Sequence, residues 1–246
     1  MVSAAQIRNG VGIVGNVISF FLFASPVPTF WRIVKNKSVE EFQVYPYIAT
    51  VMNCMLWVFY GLPVVHTDSI LVTTINGVGL VVEAIYLSIF FIYSKQQKNT
   101  RRNIILLLLL EIAAVVAVVL ITLFALHTTF AKQTFVGVLC DAFNIAMYGS
   151  PCLVIGKVIK TRSVEYMPFW LSFVSFINAA IWTSYSLIHK LDLYVLISNG
   201  MGTLLCASQL IVYFVYRGST PKVKDAEKPA VVEFSPSAVA AAEDRV

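Results

Sequence analysis

The sequence predicts an all-α membrane protein in which seven transmembrane helices form two parallel three-helix repeats joined by a linker helix, a 3+1+3 layout. Three observations predict this fold class. Hydrophobic residues make up 58% of the 246 residues and charged residues only 13%, whereas about a quarter of a soluble domain is charged. The hydrophobic residues form runs long enough to cross a bilayer. One stretch of the chain also occurs twice.

The apolar runs predict seven transmembrane spans, at about residues 7–30, 43–64, 69–93, 103–126, 133–156, 167–188 and 192–216. The first run is similar to the apolar core of a signal peptide. Its repeat copy lies in the middle of the chain, where it cannot be cleaved off. We therefore expect the first run to remain as a helix.

The duplication appears as matched segments that lie 125 residues apart, except for the last pair, which lies 123 residues apart. The matching segments are Ser-Pro at 25–26 and 150–151, Lys/Arg-Ser-Val-Glu at 37–40 and 162–165, and Asn-Gly-X-Gly at 76–79 and 199–202. Three helices per repeat would leave the second copy inverted, and the fourth span restores its orientation. The predicted domains are the repeats at 1–94 and 131–217, the linker helix at 95–130, and a disordered cytoplasmic tail at 218–246.

Lysine and arginine predict the orientation, because they concentrate in cytoplasmic loops. They occupy loops one, three and five and the segment after the last span, whereas the opposite side has only Lys132, Lys190 and an exposed Arg8. We therefore expect an extracellular N-terminus, a cytoplasmic C-terminus and, by default, the plasma membrane. The glycosylation sequon at Asn36 would then lie on the cytoplasmic side and remain unmodified.

Spans 2 and 6 carry the same polar and aromatic side chains, spaced i, i+4 and i+7 on one helix face. These residues are Asn53, Trp57 and Tyr60 in span 2 and Asn178, Trp182 and Tyr185 in span 6. Asn76 and Asn199 are a matched pair in spans 3 and 7. Related by a pseudo-twofold axis, these faces would meet at the bundle centre. Neutral amides and flat indole rings suit the hydroxyls and the C–H face of a sugar.

Structural roles compete with each of these interpretations. Asparagine in a membrane helix often only bonds to a neighbouring helix, and the duplication alone does not decide between packing and binding. Four matched prolines, Pro26, Pro46, Pro151 and Pro168, are either hinges for a rocking motion or simple helix ends. Three intramembrane carboxyl groups, Glu83, Glu111 and Asp141, lack symmetric acidic counterparts. We interpret them as local hydrogen-bonding groups rather than as a proton relay.

The chain resembles the SWEET family of sugar transporters over nearly everything except the tail. The segments that carry the resemblance are Gly15-Asn16, Ser25-Pro26-Val27-Pro28-Thr29-Phe30, Lys37-Ser38-Val39-Glu40, Pro46-Tyr47, Trp57-Val58-Phe59-Tyr60-Gly61, Ile75-Asn76-Gly77, Thr161-Arg162-Ser163-Val164-Glu165-Tyr166-Met167-Pro168-Phe169 and Asn199-Gly200. SWEETs are themselves a known example of parallel repeats, so the 3+1+3 layout is not independent of this resemblance.

The resemblance implies a facilitator that moves mono- or disaccharides down their gradient by alternating access, without a coupled ion. It implies sugar contacts at Asn76 and Asn199. It implies pocket walls at Trp57, Trp182, Asn53, Asn178, Ser19, Leu22, Asn144 and Met147. The prolines at 26, 46, 151 and 168 match a tetrad near the cytoplasmic gate, and the extracellular gate would contain Tyr60, Tyr185 and Asp192.

The chain departs from the family pattern at a few positions. Ser198 stands where a proline usually precedes the second asparagine, the loop at 189–192 is one residue longer than expected, and Asp141 and Asn144 are unusually polar. For size selection, Asn53, Asn178 and Met147 are bulkier than the alternatives in disaccharide carriers, which favours hexose over sucrose.

Other classes fit the sequence less well. A seven-helix receptor would not show the duplication, and a proton-driven carrier of the proline-glutamine-loop type needs a Pro-Gln dipeptide that the sequence lacks. No nucleophile–base pair indicates an enzyme, and no basic, aromatic surface indicates nucleic-acid binding. Neither the histidines nor the cysteines have metal-ligand spacing, so no cofactor is expected, and Cys54, Cys140, Cys152 and Cys206 are interpreted as packing residues. A homo-oligomer is compatible with the sequence.

Overall fold

The computed structural model describes residues 3–95, 97–147, 149–165 and 167–219. All regular secondary structure in these ranges is helical, which confirms the predicted fold class. Of the tail predicted at 218–246, only Gly218 and Ser219 lie inside the described residues.

The first repeat contains four helices, because its first span is divided. They are α1 (Ala4–Ala24), α2 (Val27–Asn36), α3 (Tyr45–Tyr60) and α4 (Ile70–Tyr93). Ser3 and Gln6 form a capping box at the start of α1. Pro26 has no amide hydrogen to continue α1, so α1 ends before it and α2 starts after it. The span predicted at about residues 7–30 is therefore present within the segment Ala4–Asn36, but it is divided at Pro26.

The linker helix α5 (Lys98–Leu120) continues into a π-helical turn at Ile121–Ala125. It packs on α3 and α4. The rest of its surface is apolar and exposed: the exposed fraction is 66% for Leu110 and 75% for Phe124. Such a surface is suited to contact with lipid.

The second repeat contains α6 (Thr129–Met147), α7 (Gly149–Thr161), α8 (Phe169–Leu187) and α9 (Leu193–Tyr216). It reproduces the first repeat closely. Both α4 and α9 have 24 residues. Lys37 after α2 and Arg162 after α7 are equivalent positions, and both adopt left-handed backbone with φ of 51° and 54°. The two copies therefore end these helices in the same way.

Six helices form a closed ring. In the first repeat α4 packs between α1 and α3, and in the second α9 packs between α6 and α8. The repeats meet where α1 packs on α8 and where α3 packs on α6. Exchanging the repeats converts each of these two contacts into the other, which is the pattern that a pseudo-twofold axis through the ring produces.

The two repeats run in the same direction. Ser69 before α4 donates a 3.0 Å hydrogen bond to Asp192 before α9, so both helices begin at one end of the ring. Along α1 and α4 the residue numbers of contacting pairs rise together, from Gly12 near Leu71 to Asn16 near Thr74. The same holds along α6 and α9, from Gly137 near Tyr194 to Asp141 near Ser198. All four helices are therefore parallel.

The two ends of the ring differ in character. The tyrosine end contains Tyr60, Tyr185 and Asp192, and the proline end contains Pro26, Pro46, Pro151 and Pro168. At the proline end, Phe30 of α2 stacks on Tyr86 of α4 with ring centroids 4.1 Å apart. This contact holds the short helix α2 against the ring.

Five helical segments within the described ranges are long and apolar enough to cross a membrane. They are Ala4–Asn36, Ile70–Tyr93, Asn99–Ala125, Thr129–Thr161 and Leu193–Tyr216. The other two predicted spans, α3 and α8, do not meet this standard. α3 has 16 residues, and α8 carries Asn178 among several serines and threonines. These two helices are the ones with the matched polar and aromatic faces.

Candidate functional site

A cavity of about 260 Å³ lies inside the ring, with both repeats in its wall. Nine of the ten substrate contacts expected from the sequence line it: Ser19, Leu22, Asn53, Trp57, Asn76, Asn144, Asn178, Trp182 and Asn199. Met147 does not line it. It is the last residue of α6, where its side chain is buried in the protein. Its bulk therefore has no direct contact with the cavity.

Asn76 on α4 and Asn199 on α9 have the same geometry. The Nδ2 of Asn76 donates to the carbonyl of Val72 at 2.9 Å, and the Nδ2 of Asn199 donates to the carbonyl of Val195 at 3.0 Å. Each bond fixes the amide on its own helix and leaves the Oδ1 and one N–H available. The pair therefore presents one acceptor and one donor from each repeat to the cavity.

The two tryptophans are also equivalent. Each packs edge-on against the tyrosine three residues later, with centroids 5.3 Å apart for Trp57 and Tyr60 and 5.2 Å apart for Trp182 and Tyr185. The packing locks both indoles in place at the cavity wall.

A polar chain fixes one wall of the cavity more firmly than the other. The Nε1 of Trp182 donates to the Oγ of Ser19 at 3.1 Å, and this Oγ donates to the Oδ1 of Asn178 at 2.7 Å. On the opposite wall the Oδ1 of Asn53 is buried without a partner among the described residues. The equivalent of Ser19 there is Asn144. The side-chain chemistry of the two walls is therefore not symmetric.

The tyrosine end is closed by hydrogen bonds to one carboxylate. The hydroxyls of Tyr60 and Ser69 donate to Asp192 at 2.6 and 3.0 Å, and the amide of Val195 donates to it at 3.3 Å. Tyr60 and Tyr185 are each only 1% exposed. The cavity therefore has no opening between these two side chains.

Arg8 is a second closing element at the tyrosine end, and the sequence prediction that it is exposed is wrong. It is 4% exposed because its Nε donates to the carbonyl of Tyr185 at 3.3 Å and its Nη1 to the carbonyl of Asp68 at 2.6 Å. Its guanidinium also lies 4.0 Å above the Tyr185 ring. Arg8 thus ties α1 to the end of α8 and to the loop before α4.

The loops at the tyrosine end carry a small charge network. Lys190 lies 2.5 Å from the carboxylate of Asp68, and this hydrogen bond holds the pKa of Asp68 below its usual range. Burial lowers the pKa of His66, against the opposing effect of the Asp192 carboxylate 3.6 Å away. The Nδ1 of His66 accepts a hydrogen bond from the amide of Asp68 at 3.3 Å, so the neutral ring carries its proton on Nε2.

Two of the four matched prolines reach the cavity. Pro26 and Pro151 line its proline end. Pro46 lies in the first turn of α3 and Pro168 immediately precedes α8, where proline is tolerated at a helix start.

Several cavity-lining residues were not predicted from the sequence. They include Phe23, Glu83, Ser175, Leu205, Cys206 and Gln209. Helical spacing alone could have identified Glu83 and Cys206. Glu83 lies seven residues after Asn76 and Cys206 seven residues after Asn199, so each shares a helix face with its asparagine. Cys206 in the cavity wall and the exposed Cys152 correct the interpretation of all four cysteines as packing residues.

The three intramembrane carboxyl groups do not all make the local hydrogen bonds predicted for them. Asp141 does make a local contact, with the hydroxyl of Ser198. The Oε2 atoms of Glu83 and Glu111 are buried without partners among the described residues. The local hydrogen bonds predicted for Glu83 and Glu111 are therefore not made by these two oxygens within the ranges that the structure describes. No three metal-ligating side chains cluster within the described ranges.

Comparisons with known proteins give a consistent result. The family model described as "Sugar efflux transporter for intercellular exchange" matches residues 9–98 and 134–221, one match in each repeat. The chain is 66% identical over 235 residues to bidirectional sugar transporter SWEET8 of Arabidopsis thaliana, covering 96% of this chain and 98% of that protein. It is 54% identical over 225 residues to SWEET7b of Oryza sativa subsp. indica, covering 92% and 84%.

The fold also resembles a solved structure. The structure of a eukaryotic SWEET transporter superposes with a TM-score of 0.82 at 37% sequence identity. The match covers 87% of this chain and 99% of the other. It agrees with the predicted 3+1+3 architecture.

Proposed function

The chain belongs to the SWEET family of sugar transporters, and from this premise we propose that it carries a hexose such as glucose across a membrane in both directions, down the concentration gradient. One observation carries the proposal: paired asparagines and paired tryptophans from two parallel repeats face the same cavity. Amides match sugar hydroxyls because both donate and accept hydrogen bonds. Indole faces match the apolar C–H face of the ring.

The binding roles follow the positions of the side chains. Asn76 and Asn199 bind sugar hydroxyls with the amide groups that their helix bonds leave available. Trp57 and Trp182 cover the two faces of the ring. The other predicted contacts that line the cavity are Ser19, Leu22, Asn53, Asn144 and Asn178. No lysine, arginine or histidine is among the described lining residues, which argues against an anionic substrate.

Transport proceeds by alternating access in this proposal. Tyr60, Tyr185 and Asp192 form the gate of the tyrosine end, which is closed here. The four prolines of the proline end act as hinges when the repeats rock. Pro26 and Pro151 lie where α1 gives way to α2 and α6 to α7, and Pro46 and Pro168 lie at the starts of α3 and α8. Nothing in this cycle requires a coupled ion, so the proposed mechanism is uniport.

The tyrosine end faces outward and the proline end faces the cytoplasm in our proposal. Basic side chains at the proline end, including Arg32 and Lys35 of α2 and Lys157 of α7, outnumber those at the tyrosine end. The proposed location is the plasma membrane, and a homo-oligomer is the proposed assembly. Asn36 gives a test of the orientation: a mobility shift on glycosidase treatment that maps to Asn36 would reverse it.

Cavity size favours a single sugar ring. Drug-sized ligands occupy pockets of roughly 300–1,000 Å³, and this cavity, at about 260 Å³, falls below that range. Asn53 and Asn178 occupy part of the space at the wall. Sucrose, with two rings, is the second candidate substrate.

One observation favours a different mechanism. Glu83 lines the cavity, and a carboxyl group within a membrane protein is often a proton relay. A proton-coupled carrier is therefore the second candidate. Proton symport would require glucose uptake to rise steeply as the outside becomes acidic and to carry an inward current.

Uptake of radiolabelled glucose and sucrose into a cell line that lacks hexose transport tests the proposal. We expect saturable glucose uptake, little sucrose uptake and, at steady state, equal glucose concentrations inside and outside the cell. Accumulation above the outside concentration, with inward current between pH 5 and 8, would establish symport instead. Absence of saturable uptake of either sugar would refute the proposed function.

A further inference from the structure

Two buried polar side chains, Glu83 and Gln209, line the cavity, and the Oε2 of Glu83 is buried without a hydrogen-bond partner among the described residues. Glu83 of α4 is 2% exposed and Gln209 of α9 is 4% exposed. They come from the central helices of the two repeats, and their cavity is the one that holds the asparagine pair.

These side chains lie on the proline-end side of the asparagine pair. Glu83 is seven residues beyond Asn76 on α4, which places it about 10 Å further along the axis and on the same face. Gln209 is ten residues beyond Asn199 on α9, in the same direction. Pro26 and Pro151 line the cavity toward the same end. A solute moving between the asparagine pair and the proline end passes this level.

Leaving a polar group buried without a partner is costly, because it loses its hydrogen bonds to water. Asn76 and Asn199 avoid part of this cost by bonding to their own helices. Glu83 and Gln209 make no such bond in the described structure, so their groups are available to a ligand. A carboxyl oxygen accepts and a carboxamide both donates and accepts. Together they match a neutral ligand rich in hydroxyl groups.

We infer that Glu83 and Gln209 form a second hydroxyl-binding subsite, which holds the transported sugar on its way between the asparagine pair and the proline end. This inference rests on the proposed function. It adds two sugar contacts that come from both repeats, and it makes Glu83 a substrate contact rather than a structural or proton-carrying group.

The test compares Glu83→Leu, Gln209→Leu and Glu83→Gln with the unchanged chain. Glu111→Gln is the matched control, because its Oε2 is also buried without a partner but Glu111 lies on α5, away from the described cavity lining. Each variant is assayed for the half-saturation concentration of radiolabelled glucose and for competition by a series of monodeoxyglucoses. Surface protein and thermal stability in detergent are measured in parallel.

We expect Glu83→Leu and Gln209→Leu each to raise the half-saturation concentration about threefold to tenfold, the effect of one lost hydrogen bond. Glu83→Gln should restore most of the affinity, because its amide still bonds to hydroxyls. At least one monodeoxyglucose should be insensitive to Glu83→Leu, since it lacks the hydroxyl that Glu83 contacts. Glu111→Gln should leave every value unchanged.

Values within twofold of the unchanged chain for both leucine variants would overturn the inference while leaving the proposed function intact. An equal loss for every sugar, accompanied by lower thermal stability, would also overturn it in favour of a structural role. If Glu83→Leu does not reach the membrane, Gln209→Leu alone decides. Failure of the unchanged chain to transport glucose would refute the proposed function itself.

Discussion

The hydroxyl of Tyr60 donates a 2.6 Å hydrogen bond to the carboxylate of Asp192. Tyr60 ends α3 in the first repeat, and Asp192 precedes α9 in the second. A single buried contact therefore joins the two repeats at the tyrosine end. Because the two side chains are 1% and 2% exposed, the contact cannot persist when this end opens to water.

Tyr60→Phe should shift the protein toward the state in which the tyrosine end is open. Phenylalanine keeps the ring packing against Trp57 but removes a hydrogen bond to a charged group, which contributes about 1.5–3 kcal/mol. We expect a membrane-impermeant thiol reagent added outside to modify Cys206 in the cavity wall at least tenfold faster. Cys152→Ser removes the exposed thiol that would compete.

Tyr45→Phe is the control for this measurement. Tyr45 lies at the proline end, where its hydroxyl accepts a 3.1 Å bond from Asn103 of α5. Its loss should not change labelling from outside. Equal labelling rates for Tyr60→Phe and the unchanged chain would show that the bond to Asp192 does not hold the tyrosine end closed.

Mild acid should also favour the open tyrosine end. Burial lowers the pKa of His66 in the closed structure, and exposure to water on opening would return it toward about 6.5. The open state therefore binds a proton more tightly. Stabilisation of the closed end is fully present above the ordinary pKa and is lost as the pH falls toward the lowered value.

His66→Gln should remove this dependence, because glutamine does not titrate. The measurement is the ratio of Cys206 labelling from outside in the unchanged chain to that in His66→Gln, taken at pH 7.5 and pH 5.5. Taking the ratio cancels the pH dependence of the thiol reaction itself. Asp68, whose pKa is held below its usual range, does not titrate in this window. A ratio that does not rise at pH 5.5 contradicts the prediction.

Asn76→Ala and Asn199→Ala should each reduce glucose uptake by about tenfold or more. Each removes an amide that we assign to sugar hydroxyls, and a lost bond to a buried polar group costs about 1–3 kcal/mol. Alanine is the best helix former, so α4 and α9 should remain intact. Tracer uptake at low glucose concentration, normalised to surface protein, measures the effect.

Asn103→Ala provides the comparison, because Asn103 is an asparagine on α5 whose amide bonds to Tyr45 at the proline end. It should transport normally. Near-normal uptake in both Asn76→Ala and Asn199→Ala would remove the assignment of this pair to sugar binding.

Helical spacing and duplication together made much of the cavity predictable. Spacing placed Asn53 and Trp57 on one face of α3, and the duplication placed Asn178 and Trp182 on the equivalent face of α8. Neither argument requires knowledge of the three-dimensional packing. All four side chains line one cavity because the ring of helices turns these faces inward.

The remaining features depend on contacts that no local pattern encodes. Arg8 is buried only because the carbonyls of Tyr185 and Asp68, from distant parts of the chain, converge on it. Glu83 shares a face with Asn76, but its missing acidic counterpart argued for a local bond, and a bond to a neighbouring helix can only be tested in the packed structure. Met147 was expected beside Asn144, yet it lies at the end of α6 and is buried elsewhere.

Gly15→Ala should disturb the interface between the repeats. A Cβ at Gly15 would lie 3.0 Å from the Trp182 ring and 3.2 Å from Ile181, where α1 packs on α8. The indole cannot move away freely, because its Nε1 bonds to Ser19. Overpacking of this kind costs about 1–3 kcal/mol, so we expect a lower melting temperature in detergent and reduced glucose uptake.

Gly10→Ala is the matched control, since a Cβ there meets nothing within 4 Å. It should transport normally and melt at the same or a higher temperature, because alanine favours the helix. Equal behaviour of the two variants would show that the approach of α1 to Trp182 tolerates an added methyl group and does not limit the movement between repeats.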